Sequence, residues 1–193
     1  LLGGMTTFAL LVWNLCGASA PDAKPLATSL KPLSLLALAV LAVQVFLGGW
    51  TSTNYAALAC TDFPTCQGSF WPRMSFHEAF TLWRGLGVNY EFGVLDTPAR
   101  TAIHYTHRLW AMVVAIVIAL TALRALRSGE RSGRRVGSCI LGLLVLQITL
   151  GVTNVLQGLP LPVAVMHNGV AALLLGSLVT LLYFATRAPR AQG

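Results

Sequence analysis

Two histidines lie in apolar stretches, where ionisable side chains are rare and commonly functional. His107 lies 17 residues before Arg124, and His167 lies 20 residues before Arg187. At about 1.5 Å per helical residue these separations are roughly 25 and 30 Å, so both imidazoles are expected at a similar depth. Two imidazoles at one depth can hold a planar metal macrocycle between them, and haem is the cofactor that fits. We therefore predict that His107 and His167 are the axial ligands of a haem iron.

Neighbouring residues leave alternatives to this interpretation. A histidine in a membrane span more often hydrogen-bonds to another helix than binds a metal. His104 lies three residues before His107 on nearly the same face, so it is either a rival ligand or a polar residue at the mouth of the site. Arg108 follows His107 directly and could partner the haem propionates or extend to the lipid headgroups. His77 is expected at the membrane interface in a loop.

The elements that carry these residues are predicted to be transmembrane helices. Of the 193 residues, 55% are hydrophobic and only 10% are charged, whereas soluble domains average about 25% charged residues. The net charge of +7 lies mostly in short segments between apolar runs, which excludes nucleic-acid binding. The predicted fold is all-α: a polytopic membrane protein with a four-helix transmembrane bundle plus one truncated helix. Four stretches have the length of a span, at roughly 32–50, 101–123, 136–157 and 161–186.

Residues 1–16 are apolar but too short to cross a bilayer, so we interpret them as the end of the last helix of a preceding bundle. The haem-binding bundle is expected to occupy residues 32–187. Positive charge concentrates in three segments, which the positive-inside rule places in the cytoplasm. These are the linker 17–31 with Lys24 and Lys31, the connection that includes Arg124 to Arg135, and the tail 188–193 with Arg190.

The long connection 51–100 is then an outer loop on the opposite side of the membrane. Phe76, Phe80 and Trp83 have helical spacing and predict a short amphipathic helix on the membrane surface. Thr97 and Pro98 are expected to cap and begin the next span.

A repeated pattern relates two of the predicted spans. Gln44 to Gly48 and Gln147 to Gly151 both read Gln-x-x-Leu-Gly, and each is followed by a span that carries one of the histidines. The pattern favours a duplicated helix pair, in which the glycines allow close helix contacts. Chance similarity is the alternative, since leucine and glycine are common in spans.

The four cysteines divide by position. Cys60 and Cys66 both lie in the outer loop, where an oxidising compartment permits a disulfide. A metal-binding pair and a redox-active dithiol are the alternatives. Cys16 and Cys139 are expected to be packing residues.

Two runs in the outer loop strongly resemble the haem A synthase family in its bacterial, cysteine-containing form. Residues 48–60 read GGWTSTNYAALAC and residues 62–68 read DFPTCQG. His107-Arg108-Leu109 and Met166-His167-Asn168 fall where that family has its paired ligand helices. The resemblance covers nearly the whole chain, but only the carboxyl-terminal half of a full-length member.

This resemblance implies oxidation of a methyl group of haem O to a formyl group, which makes haem A for terminal oxidases. It implies that the carboxyl-terminal half holds haem B through His107 and His167, while the catalytic carboxylate and the haem O substrate belong to the amino-terminal half. In this half, the position that matches the carboxylate of the amino-terminal half is His104. This chain alone is therefore expected to be inactive. The implied partners are membrane lipid, haem O synthase and an electron acceptor such as a quinone. A homo-oligomer is compatible with the family resemblance.

The family also implies a multi-pass protein of the bacterial inner membrane, with the loop 51–100 in the periplasm. A bis-histidine b-type cytochrome that only transfers electrons would need the same His107 and His167. A channel or assembly factor without a cofactor is a third interpretation, and it predicts no haem absorption.

Overall fold

The computed structural model describes residues 1–19, 25–87, 89–91 and 93–187. Lys24, Arg190 and the tail 188–193 therefore lie outside the described residues. Within these residues the chain forms α1 (Leu2–Ser19), α2 (Leu30–Thr53), α3 (Phe76–Ala79), α4 (Thr97–Leu126), α5 (Arg131–Leu156) and α6 (Leu161–Thr186). All except α3 are long and apolar enough to cross a membrane; this includes α1, which extends to Ser19 and so is longer than the stretch 1–16 that was predicted to be too short. The predicted all-α, polytopic membrane fold is confirmed.

Four of the long helices form an up-down-up-down bundle. Helix α2 packs against α4 and α6, and α5 packs against the same two helices. Helices α4 and α6 thus occupy opposite corners and face each other across the bundle axis. The core between them is built from fully buried aliphatic side chains, among them Ile118, Ile140, Leu174 and Leu178.

Large apolar side chains also cover the outside of the bundle. Leu35, Met112, Ile116 and Val145 are exposed, as expected for helices that are solvated by lipid. Helix α1 packs outside the four-helix ring, against α6. The ring of Phe8 lies so near Gly176 that a Cβ there would be 3.2 Å away, so the small residue sets this close contact.

Two local predictions about the outer loop were wrong in detail. Helix α4 is capped by Asp96 rather than Thr97, because the Asp96 carboxylate accepts a hydrogen bond of 2.9 Å from the backbone N–H of Ala99. The predicted amphipathic helix is a single turn that ends at Ala79. Trp83 lies beyond it in irregular backbone with 71% of its surface exposed.

The outer loop packs onto the start of α4 and the end of α2. A small buried cluster of Ala56, Ala79, Ala102 and Ile103 joins the three segments. The indole N–H of Trp50 donates a hydrogen bond of 2.9 Å to the carbonyl of Ala79. These contacts hold the loop over the end of the bundle at which the histidines lie.

The connection from α5 to α6 is a tight turn. Gly158 and Leu159 adopt positive φ angles of 68° and 64°, and the N–H of Leu159 returns to the carbonyl of Asn154. Pro160 caps α6, where its missing N–H leaves no bond unmade.

Candidate functional site

His107 on α4 is enclosed by two residues of α2. The amide nitrogen of Gln44 lies 3.4 Å from Nε2 of the imidazole and also donates to the His107 carbonyl at 3.3 Å. Gly48, one turn further along α2, lies against the other side of the ring. A Cβ at Gly48 would lie 3.3 Å from Cε1 of His107, so only glycine accommodates the ring in this position without a shift.

His167 on α6 has the same surroundings, supplied by α5. The amide nitrogen of Gln147 lies 3.2 Å from Nε2 of His167. A Cβ at Gly151 would lie 3.2 Å from Cε1 of the same ring. The repeated Gln-x-x-Leu-Gly pattern therefore corresponds to two equivalent helix pairs, each presenting one histidine between a glutamine and a glycine.

Several polar atoms in these two groups are buried without a hydrogen-bond partner. They include Nδ1 of His107, Nδ1 of His167, and Oε1 of both Gln44 and Gln147. Leaving a buried donor or acceptor unpaired costs about 1–3 kcal/mol each. Their presence in both halves of the repeat, and at equivalent atoms, indicates a site built to take a further polar or metal-containing group.

The two histidines lie on opposite helices of the bundle, His107 on α4 and His167 on α6. No group of three or more His, Cys, Asp and Glu side chains is assembled within the described ranges. The arrangement therefore suits a metal that takes two ligands from protein and the rest from a macrocycle.

His104 is brought next to His107 but has a different partner. Its side chain is buried, and Nδ1 accepts a hydrogen bond of 3.4 Å from the backbone N–H of Cys60. One ring nitrogen of His104 is thus engaged by the outer loop. His77 extends from α3 with its side chain 93% exposed, 3.7 Å from Glu78, and so lies in the outer loop as predicted.

Arg108 contacts the outer loop through three backbone carbonyls. Its guanidinium donates to the carbonyls of Asp62, Pro64 and Thr65 at 3.1, 2.9 and 3.0 Å, and it also lies over the ring of Phe63. A planar fork of N–H groups suits such convergent acceptors. Arg108 therefore ties the turn that follows His107 to the loop, a contact that the sequence did not indicate.

The segment that Arg108 holds is closed by a disulfide between Cys60 and Cys66, both of which are buried. Asp62 organises its interior by accepting hydrogen bonds from the Thr65 hydroxyl and from the backbone N–H groups of Gln67 and Gly68. These donors, first the Thr65 hydroxyl, hold the pKa of Asp62 below its ordinary value of 3.8. The predicted disulfide is present in the structure.

The cysteines inside the membrane make weak contacts with hydroxyl groups. The thiol of Cys16 lies 3.7 Å from the Thr180 hydroxyl, and that of Cys139 lies 3.8 Å from the Ser177 hydroxyl. Cys139 is exposed on the outside of the bundle, so the expected packing role describes Cys16 better.

Several known proteins are similar to this chain in sequence. The model of the COX15-CtaA family, described as "Cytochrome oxidase assembly protein", matches residues 1–179. A protein named "Heme A synthase" from Shewanella oneidensis is 47% identical over 156 residues, which cover 81% of this chain and 47% of that protein. Proteins of the same name from Rhizorhabdus wittichii and Methylobacterium nodulans are 31% and 33% identical over 93% and 88% of this chain, and over 48% and 45% of their own lengths.

The chain spans about half the length of the curated relatives it matches. No solved structure matches it. Because the family model covers most of the chain, the sequence comparison and the helical architecture lead to one conclusion: the chain belongs to the COX15-CtaA family of cytochrome oxidase assembly proteins.

Proposed function

We propose that this chain is the haem B-binding half of an oxidoreductase that makes haem A, with His107 and His167 as the axial ligands. The observation that carries the proposal is the pair of histidines on opposite helices, each set between a glutamine and a glycine of its neighbour. The names of the relatives supply the biosynthetic context.

The residues present fit a haem. A macrocycle supplies the equatorial ligands of its iron, so two imidazoles complete the coordination. Nδ1 of His107 and of His167 has no partner, and the amides of Gln44 and Gln147 can offer either a donor or an acceptor to the other ring nitrogen. A glutamine on each side would then fix the tautomer and the orientation of its histidine, as outer-shell partners of metal ligands do.

A haem held by His107 and His167 would supply electron transfer rather than oxygen binding, because protein side chains would complete the coordination of its iron. The surrounding side chains then have a simple role. His107 and His167 hold and orient the cofactor, while the outer loop, tied down by His104 and Arg108, limits access of water from one end. We propose that Arg108 acts through this loop and that any contact with the propionates is secondary.

Oxidation of the methyl group of haem O to a formyl group, with water as the oxygen source, releases electrons and protons, and we place this chain as the electron acceptor. The substrate haem O and the catalytic carboxylate would lie in the other half of the enzyme, and haem O synthase would supply the substrate. In this half the position that matches the carboxylate is His104, which supports an inactive but haem-loaded chain. An electron acceptor such as a quinone is the proposed partner that takes the electrons onward.

We propose further that the protein lies in a bacterial inner membrane with the outer loop in the periplasm. The strongly basic connection between α4 and α5 supports a cytoplasmic position for that end. The disulfide in the outer loop supports an oxidising compartment at the other end.

The test is a reduced-minus-oxidised optical spectrum with a pyridine haemochrome assay on the protein purified in detergent. We expect a b-type signal at about one haem per chain that is lost in both His107→Ala and His167→Ala. His77→Ala is the matched control, since that side chain is exposed in the outer loop. Retention of haem in both ligand variants would refute the assignment.

Two further results separate the alternatives. Loss of haem in His104→Ala with retention in His107→Ala would make His104 the ligand. If the intact enzyme that contains this chain binds haem B but does not convert haem O to haem A, the protein is an electron carrier and the synthase proposal fails.

A further inference from the structure

A polar cavity lies at the basic end of the bundle, away from the histidines. Its volume is about 320 Å³. It lies between the end of α4 and the segment that leads into α2, and its lining consists of Ala27, Ser29, Leu30, Arg124, Arg127 and Ser128. None of these residues takes part in the proposed haem site.

Two arginines of the lining carry unneutralised charge. Arg124 lies in the last turn of α4, and Arg127 is the residue that follows its end, so both side chains leave the same end of the helix. Neither forms an ion pair with any carboxylate in the described part of the chain. Glu130 is close in sequence, at the N-cap position of α5, and forms no ion pair with either arginine.

The hydroxyl of Ser29 adds a free donor. Ser29 precedes the first turn of α2, but its side chain makes no capping hydrogen bond there. The hydroxyl of Ser128, by contrast, donates to the carbonyl of Ala125. The cavity therefore offers two guanidinium groups and one hydroxyl toward a single acceptor-rich, negatively charged group.

We propose that this cavity binds the phosphate group of an anionic phospholipid. Guanidinium groups bind phosphate oxygens through paired, charge-assisted hydrogen bonds. Arg124 lies at the end of a membrane-spanning helix, where the headgroups of the adjacent leaflet lie, and the apolar side chain of Leu30 completes the wall. Two positive charges that have no acidic partner among the described residues favour an anionic lipid over a zwitterionic one.

The test is native mass spectrometry of the full chain in detergent, with phosphatidylglycerol, phosphatidylcholine or inorganic phosphate added. The variant is Arg124→Gln/Arg127→Gln. The control is Arg131→Gln/Arg134→Gln, which removes the same charge from the same connection without touching the cavity lining. All four residues are exposed, so neither pair of substitutions disturbs the core.

We expect the wild type and the control to retain phosphatidylglycerol preferentially over phosphatidylcholine. Loss of each cavity arginine should weaken phosphatidylglycerol binding about fivefold, and loss of both about thirtyfold. Equal weakening in the variant and the control would show that binding depends only on total charge and would overturn the proposal. Equal binding of the two lipids would overturn it as well. If inorganic phosphate displaces the lipid at a similar concentration, the cavity binds free phosphate, and the proposal of a lipid ligand is overturned.

Discussion

Gly48 and Gly151 lie against the imidazoles of His107 and His167, so a methyl group added at either glycine should weaken haem binding. In Gly151→Ala the new Cβ would lie 3.2 Å from Cε1 of His167, whereas carbon atoms prefer about 3.5–4.0 Å. The ring must therefore move by about 0.3–0.8 Å. Adding a methylene-sized group to a packed core costs about 1–3 kcal/mol. Because the ring can shift away in the haem-free protein but is held in place when it binds iron, this cost should fall on the bound state and weaken haem binding by about fivefold to about 150-fold.

Gly169→Ala is the matched control, because it lies on the same helix as His167 but a Cβ there meets nothing within 4 Å. Both substitutions remove a flexible glycine from a helix and each favours the helix by about 1 kcal/mol. A difference in haem affinity between them therefore reports the ring contact and not helix stability.

The assay is titration of haem into the haem-free protein, followed by the Soret absorption, with the melting temperature of the haem-free protein measured alongside. Gly48→Ala should behave like Gly151→Ala, since its Cβ would lie 3.3 Å from Cε1 of His107. Haem affinities of Gly151→Ala and Gly169→Ala that agree within error would refute the reasoning.

Four further outcomes are expected. Arg108→Lys keeps the positive charge but loses the planar group that donates to three carbonyls. The loop disulfide should therefore be reduced faster in Arg108→Lys, as in Arg108→Gln. An unchanged rate of reduction would contradict this. Cys60→Ser opens the short ring closed by the disulfide and should destabilise the loop by about 2 kcal/mol, seen as faster proteolysis. Because the folded pKa of Asp62 is lowered, its contribution to loop stability is complete above its ordinary pKa and is lost as the pH falls through the lowered value. Pepsin should therefore cut the loop increasingly fast in that acidic range, and Asp62→Asn should remove this pH dependence. Asp96→Ala should destabilise α4 by about 0.5–2 kcal/mol in thermal unfolding, whereas Thr97→Ala, which removes no cap, should not.

The membrane spans could be predicted closely from sequence. Span 161–186 agrees with α6 at both ends, and the remaining spans differ from α2, α4 and α5 by a few residues. This succeeds because the bilayer demands a continuous apolar stretch of known length, which is a local property. The helix around Phe76 was predicted too long because apolar spacing alone does not reveal where the loop packs against α4.

The sequence by itself determined the all-α membrane architecture and the repeat that carries Gln44 and Gln147, and it predicted two histidines at similar depth. Composition and periodicity report these features directly, because each depends on residues that are near one another in the chain. Only the tertiary structure decided which side chains meet. Three contacts join residues more than 40 positions apart: that of His107 with α2, that of His104 with Cys60, and that of Arg108 with the loop carbonyls. Such contacts depend on how helices pack around a common axis, and no local pattern in the chain encodes that arrangement.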